Sequence, residues 1–560
     1  MQFRTILKKM SSALVIFSLL TSIITLSTPT NVLALDPPAI EQDNSIKYGD
    51  VDGDGQINAI DFAQIKRYLL GTTLTENALK AADVNGDGFV DAIDFAIHKQ
   101  FLLGIISVFP ADNLPQTPII PSFKDVSVHD PSVIKTNGTY YVIGSHLASA
   151  KTNDLMQWQQ ISSSVSNSNP LIPNVYTELK QSFDWAQTQT MWAGDIAQLQ
   201  DGKFYMYYCL CKGDSPRSTL GLAVSDSVTG PYKDAGILLK SGMNGTSEAG
   251  TVYNATRDPN TVDPDTFFDK NGNLWMVYGS YSGGIFIMKM DPKTGKPYSG
   301  QGYGKKLLGG NHSRIEAPYM LYSPQSDYYY LFLSFGGLDS TGGYNIRVAR
   351  SKNPDGPFVD AAGKNMIDCY GAAGTLFDDK SIEPFGVKLM GNFKFAESGL
   401  GYVSPGHNSA YYDADTKKYY LIFHTRFPGQ GELHQVRAHQ MFINEDGWPV
   451  VAPHRYGGET IVKYIADEVY GDYAYINHGK DISSSIKNSV KITLNSNGTI
   501  SGNVNGKWQL SGQNITLTVN GIDYSGVVLR QWDNGLKKFV MTFSATARNG
   551  NVSVWGSKVN

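Results

Sequence analysis

Two twelve-residue segments near the N-terminus share one spacing of oxygen-bearing side chains: D-V-D-G-D-G-Q-I-N-A-I-D at 50–61 and D-V-N-G-D-G-F-V-D-A-I-D at 83–94, 33 residues apart. Oxygens at loop positions 1, 3, 5, 9 and 12, with Gly at 6 for the sharp turn, suit a hard cation that takes about six to eight oxygen ligands. Asp50, Asp52, Asp54, Asn58 and Asp61 supply one shell, and Asp83, Asn85, Asp87, Asp91 and Asp94 the other. The carbonyls of Gln56 and Phe89 fall at position 7. A lone D-x-D-x-D-G can be an acidic surface turn, whereas two full ligand sets point to two calcium ions. Each loop runs into a helical pattern, D-F-A-Q-I-K-R-Y-L-L-G or D-F-A-I-H-K-Q-F-L-L-G, stopped by Gly71 or Gly104. No helix is expected before either loop, and Asp rather than Glu stands at position 12.

Over residues 46–106 this loop-helix repeat resembles a type I dockerin. The resemblance implies a cohesin partner on a scaffolding protein of a cellulosome-type complex, with loop positions 10 and 11 helping to choose the cohesin. Those positions are Ala59-Ile60 and Ala92-Ile93, so either helix can face the partner through an apolar, dry contact.

Arg4, Lys8 and Lys9 precede an apolar run at 13–26, and Val32-Leu33-Ala34 offers small residues before a cut, so 1–34 reads as an export signal. A membrane anchor is the alternative, but the run is short for a span of about 20 apolar residues and no second apolar segment follows. The expectation is a secreted protein with no membrane partner. Only Cys209, Cys211 and Cys369 occur, too few for a disulfide framework, and they read as packing residues. With a net charge of -4 and no Lys/Arg run, nucleic acid is not an expected partner. Pro110, Pro115, Pro118 and Pro121 mark an extended linker at 107–122.

The segment 123–455 alternates aromatic strands with turns, at 139–145, 203–211, 274–281, 328–335 and 418–425. Ala223, Ser225, Gly230, Pro231 and Tyr232 recur 126 residues later as Ala349, Ser351, Gly356, Pro357 and Phe358. Five recurrent strand groups suggest radial repetition, a five-bladed β-propeller, with a large sandwich as the alternative. Asp130 in V-H-D-P-S-V, Asp263 in N-T-V-D-P-D and Glu316 in S-R-I-E-A-P each precede an aromatic strand. Apolar residues and a proline flank each one, which is unusual for a charge that only seeks solvent. A single D-P is equally a turn.

In combination, H-D-P, V-D-P before F-F-D, and I-E-A-P resemble glycoside hydrolase family 43, over about 124–455. The resemblance implies a propeller that cuts arabinan or xylan with inversion. It assigns Asp130 as general base, Glu316 as general acid, and Asp263 as the carboxylate that orients the acid and raises its pKa. Inversion requires an ionised carboxylate and a protonated one about 6.5 to 9.5 Å apart, and a nearby negative charge holds the acid's proton in place. G-S-Y-S-G-G-I at 279–285 resembles an arabinanase strand end, with Tyr281, Ser282 and Gly283 lining the sugar site. M-W-A-G-D at 191–195 resembles the family's W-A-P-D with Gly194 in place of Pro, which makes Trp192 and Asp195 candidates. Burial within a blade is the competing fate of the Trp. Gly213 and Thr261 are further candidates for sugar contacts. Pro405-Gly406-His407-Asn408-Ser409 matches the family's G-H-N-S segment, so His407 is the expected ligand of a third calcium ion, in the propeller channel, with His424 as rival.

From 458 to 560, Asn-Gly pairs at Asn497, Asn505, Asn520, Asn534 and Asn549 mark hairpins of an antiparallel meander, closed as a small barrel or sandwich. It is similar to the C-terminal domain of one group of endo-arabinanases. Trp508, Trp532 and Trp555 read as core residues more than sugar binders. The whole chain thus reads as mainly β with a small helical dockerin, a secreted enzyme cutting internal α-1,5-L-arabinofuranosidic bonds. An exo-acting arabinofuranosidase or β-xylosidase and a non-catalytic sugar-binding propeller are the alternatives.

Overall fold

The computed structural model describes residues 47–85, 90–113 and 120–559. The export signal at 1–34 and the loop residues Asp87 and Phe89 lie outside them. The chain forms two compact units, Met1–Pro118 and Ile119–Asn560.

In the first unit the calcium-loop residues double as helix caps. Asn58 caps α1 (Ala59–Leu69) and Asp61 closes its capping box. The buried Asp61 carboxylate accepts from the backbone N–H groups of Val51 at 2.7 Å, Asp52 at 3.1 Å and Asn58 at 2.8 Å, which folds the loop onto the helix. Two features differ from expectation. A short helix, α2 (Glu76–Ala82), does precede the second loop, capped by Thr75; at seven residues it is too brief to show a periodic pattern. Asp91 and Asp94 then repeat the capping box on α3 (Ala92–Leu102), and Phe95 of α3 stacks on Phe62 of α1 at 4.1 Å. The linker expected from 107 is also docked at its start. Phe109 is fully buried beside Gly49, where a Cβ would lie 2.3 Å from its ring, and Ala111 N–H donates to Val84 at 2.9 Å. Pro110 opens a 3-10 turn, Pro110–Asn113, so burial of one aromatic side chain outweighs the extended tendency of the prolines.

The second unit is a five-bladed propeller followed by a closed barrel. Four blades are four-stranded antiparallel sheets, running from Ser132–Thr136 to Gln159–Ser162, Asp195–Gln198 to Lys233–Ser241, Asp265–Phe268 to Lys305–Leu308, and Ile315–Ser323 to Val387–Met390. The fifth begins at Phe393–Lys394 and ends at Pro449–Val451, and Lys487–Asn488 pairs in parallel on its edge. Each aromatic run lies within a blade, as Thr139–Ile143, Phe204–Cys211, Leu274–Tyr278, Tyr328–Phe335 and Lys418–Arg426. These strands are covered on both faces, and all eight residues of Phe204–Cys211 are buried, which is why they read as continuous apolar runs and not as alternation. The 126-residue repeat marks equivalent places in the second and fourth blades, where Gly230-Pro231 and Gly356-Pro357 are both cis.

The barrel has eight antiparallel strands, with Gly471–Asn477 paired to the last strand, Ser553–Lys558. The Asn-Gly pairs at Asn497, Asn520, Asn534 and Asn549 fall between strands as the hairpin pattern requires, whereas Gly506 of the pair at Asn505 already opens the strand Gly506–Ser511. Trp508, Trp532 and Trp555 are all buried. Trp555 and Ile476 share one apolar core with Phe393, Tyr402 and Leu389 of the propeller. No helix among the described residues is long and apolar enough to cross a membrane.

Candidate active site

Just before or early in the strand that faces the hub, four blades carry a non-glycine residue in the left-handed region immediately before proline: Asp130 (φ 58°), Asp263 (φ 54°), Ala317 (φ 56°) and Ser404 (φ 48°). Such backbone is sparsely populated and persists where surrounding structure holds it. The second blade has Ala193-Gly194 at the same place. This repeated kink turns Asp130, Asp263 and Glu316, the neighbour of Ala317, onto one cavity of about 430 Å³ that also exposes Trp192 and His407.

The three carboxyls have different surroundings. Asp130 accepts from Ser145 Oγ, His129 Nδ1 (2.8 Å) and His407 Nδ1 (3.0 Å). Burial opposes its charge, but His129 and His407 outweigh burial and hold the carboxyl well below its usual range. Glu316 accepts from Ser280 Oγ and Tyr344 Oη, each at 2.8 Å. Burial raises it, against His407 and these two hydroxyls. Asp263 accepts from the Ala317 N–H at 3.3 Å. Burial, partly offset by His407 and reinforced by Glu316 and Asp130, raises it to about 8. Asp130 is therefore held ionised, Asp263 keeps a proton at neutral pH, and Glu316 is displaced toward its protonated form.

Of the expected contacts, Trp192 lines the cavity, and Gly213 lies against its ring, 3.4 Å from where a Cβ would stand. Asp195 and Thr261 do not line it. Asp195 is buried on Ser132 Oγ (2.6 Å) and Thr266 N–H (2.8 Å), while the Thr261 hydroxyl pairs with Ser241 at 3.1 Å. Tyr281, Ser282 and Gly283 are also absent from the lining: Tyr281 Oη donates to Gly336, Ser282 is buried, and a Cβ on Gly283 would meet Arg257 at 2.3 Å. The residue of that segment that touches the site is Ser280, one place earlier. Ser145, His129 and Tyr344 were not singled out in the sequence.

His407 has its Nδ1 on a carboxylate, which leaves Nε2 for an ion, but against burial Asp130 and Asp263 raise the imidazole to about 9, so an ion there would have to displace a proton. With one imidazole, most of a calcium shell would be water. His424 is less suited, because its Nδ1 accepts the Asp130 N–H (3.1 Å) and so its proton sits on Nε2. In the first calcium loop, Asp50, Asp52 and Asp61 bring carboxylate oxygens within 4.8 Å of one another, and Asp50 Oδ1 is buried without a partner, as a cation ligand would be.

A propeller whose hub gathers three carboxyls, displaced in opposite directions, on one open cavity has the groups that acid–base hydrolysis of a glycoside requires. The chain belongs to glycosyl hydrolases family 43, whose profile matches residues 116–449; a C-terminal lipocalin-like domain matches 453–556 and a dockerin type I domain 48–103. It is 65% identical over 442 residues to an extracellular endo-α-(1→5)-L-arabinanase 2 of Bacillus subtilis, covering 78% of this chain and 94% of that one. Identity to an extracellular endo-α-(1→5)-L-arabinanase of Thermotoga petrophila is 54%, over 78% and 95% of the two chains. The crystal structure of a family 43 glycoside hydrolase from Bacillus licheniformis superposes with a TM-score of 0.78 at 64% identity, covering 79% of this chain and all (100%) of the other.

Proposed function

We propose that the chain is a secreted endo-α-1,5-L-arabinanase that works with inversion and is tethered by its dockerin to a cohesin. The observation that carries the mechanism is the opposite displacement of carboxyls on one cavity, Asp130 downward and Glu316 upward. Asp130 takes a proton from the attacking water, and Glu316 gives its proton to the departing glycosidic oxygen. The new carboxylate on Glu316 is received by the hydroxyls of Ser280 and Tyr344. Asp263, braced on the Ala317 N–H beside Glu316, holds the acid's proton by like-charge repulsion whenever it is itself ionised. A calcium ion on His407 would supply positive charge beside the three carboxyls. The linear arabinan substrate and extracellular setting are supported by the names of the two arabinanase relatives. Cohesin pairing and two further calcium ions are supported by the dockerin match and the loop geometry.

Product analysis on debranched arabinan tests the reading. Short oligomers from the first time points, released with inverted anomeric configuration by NMR, are expected. Arabinose alone would instead show exo action, and unchanged turnover by Glu316→Ala would remove the catalytic assignment.

A further inference from the structure

The residue after the proline, or after Gly194 in the second blade, occupies one level of the hub in every blade: Ser132, Asp195, Asp265, Tyr319 and Gly406. Two residues separate this level from Asp130 and Asp263, about 6 to 7 Å along a strand. Three bonds cross between blades here. Ser132 Oγ in the first blade donates to Asp195 Oδ1 in the second at 2.6 Å. Thr266 N–H in the third donates to Asp195 Oδ2 at 2.8 Å. Met320 N–H in the fourth donates to Asp265 Oδ2 in the third at 2.7 Å. The three donors lie two, three and four residues beyond Asp130, Asp263 and Glu316. Tyr319, half-buried, lies close to the same two carboxyls.

We infer that Asp195 and Asp265 are positioning residues, forming a buried carboxyl brace that fixes the heights of the base, orienting and acid strands relative to one another. The inference rests on the proposed roles of Asp130, Asp263 and Glu316. Neighbouring blades are separate sheets, so no backbone ladder sets the offset of one inner strand against the next. The base stands in the first blade and the acid in the fourth, so the path between them through the second and third blades adds three inter-blade offsets. A misplacement of about 1 Å can cost about 100-fold in rate, so such a brace acts on catalysis as well as on folding. The two carboxyls differ in what they need. Asp195 takes a donor on each oxygen, which an amide cannot reproduce, whereas the recorded Asp265 bond uses one oxygen, which an amide can supply. Burial raises both carboxyls, Asp195 to about 6, against the donors that they accept from.

The test compares Asp195→Ala, Asp195→Asn, Asp265→Ala and Asp265→Asn with Asp413→Ala. Asp413 joins the fifth blade to the first through Lys135 (2.9 Å) and Tyr140 (2.8 Å), away from the cavity lining. Tm, kcat and KM are measured on the full chain with a glycan that the wild type hydrolyses. The alanine variants are expected to lose kcat by about tenfold or more with KM held within about threefold. Asp265→Asn should recover most of that loss, Asp195→Asn should not, and Asp413→Ala should lower Tm with kcat unchanged. The brace is refuted if folded alanine variants keep kcat within about twofold of wild type, or if kcat falls equally in Asp413→Ala at the same loss of Tm. Should the alanine variants not fold, the asparagine pair decides, and wild-type kcat in Asp195→Asn overturns the inference. Failure of the wild type on arabinan, with another glycan turned over, would count against the substrate and leave the brace testable.

Discussion

Replacing Tyr344 by Phe isolates how Glu316 is made an effective acid. Phe keeps the ring that packs on Gly406, so the change removes one oxygen and opens no large cavity. Glu316 has two hydroxyl donors at 2.8 Å, and both matter most once its proton has left and its charge needs solvation. One hydrogen bond to a charged group contributes about 1.5 to 3 kcal/mol. At about 1.4 kcal/mol per decade, the loss predicts kcat on linear arabinan lower by roughly 10- to 150-fold. The same hydroxyl lowers the Glu316 pKa, so the alkaline limb of the pH profile should move upward as kcat falls. The assay compares arabinan oligomers with an aryl arabino-oligoside whose phenolate departs without protonation. Loss on the oligomers with little loss on the aryl substrate is expected. Equal losses on both, or a change under about twofold on the oligomers, would refute the assignment of Tyr344 to the acid.

Gly406→Ala should reach the same acid indirectly, because its Cβ would lie 2.0 Å from the Tyr344 ring; overpacking of this kind costs about 1 to 3 kcal/mol, read as a drop in both Tm and kcat. In wild type, kcat/KM should fall with rising pH at a limb above the usual carboxylate range, since burial raises Glu316 and the acid needs a proton that is bound below its pKa and lost above it. Ile60 and Ile93 are 58% and 55% exposed, so Ile60→Asp or Ile93→Asp alone should leave cohesin binding by calorimetry in place, and the double variant should abolish it. Chelation should abolish the same binding even in a Ser280→Ala variant with impaired hydrolysis, because the dockerin ions and the hub chemistry are separate.

The propeller was legible because a strand covered on both faces must be written in continuous apolar and aromatic residues, as Phe204–Cys211 and Tyr328–Phe335 are. Asp130, Asp263 and Glu316 were legible because a kinked X-Pro beside a charged group leaves a local trace. Asp195 misled because its residue type suits a sugar site equally well; only its place after the kink turns it between blades. The 279–285 segment reaches the carboxyls through Ser280, whose Oγ donates to Glu316, while the Tyr281 hydroxyl turns to Gly336, and motif position alone does not tell the two apart. Tyr344 had no local signal, since its hydroxyl acts on Glu316, 28 residues away in sequence. Helix α2 and the docking of Phe109 were hidden because both depend on tertiary burial of segments too short for a periodic pattern.

The core that Trp555 and Ile476 share with Phe393 and Tyr402 bears on how this enzyme can be recombined. Arg347 of the fourth blade also donates to the carbonyls of Glu383 and Phe385 in its own blade and of Lys480, sewing the propeller to the segment that follows the barrel's first strand. A cut near residue 456 would follow the border between two sequence families and still expose apolar surface on both fragments. The propeller and barrel are therefore one cassette for gene fusion, whereas the dockerin, a separate compact unit, is the part that can be exchanged to readdress the enzyme to a different scaffold.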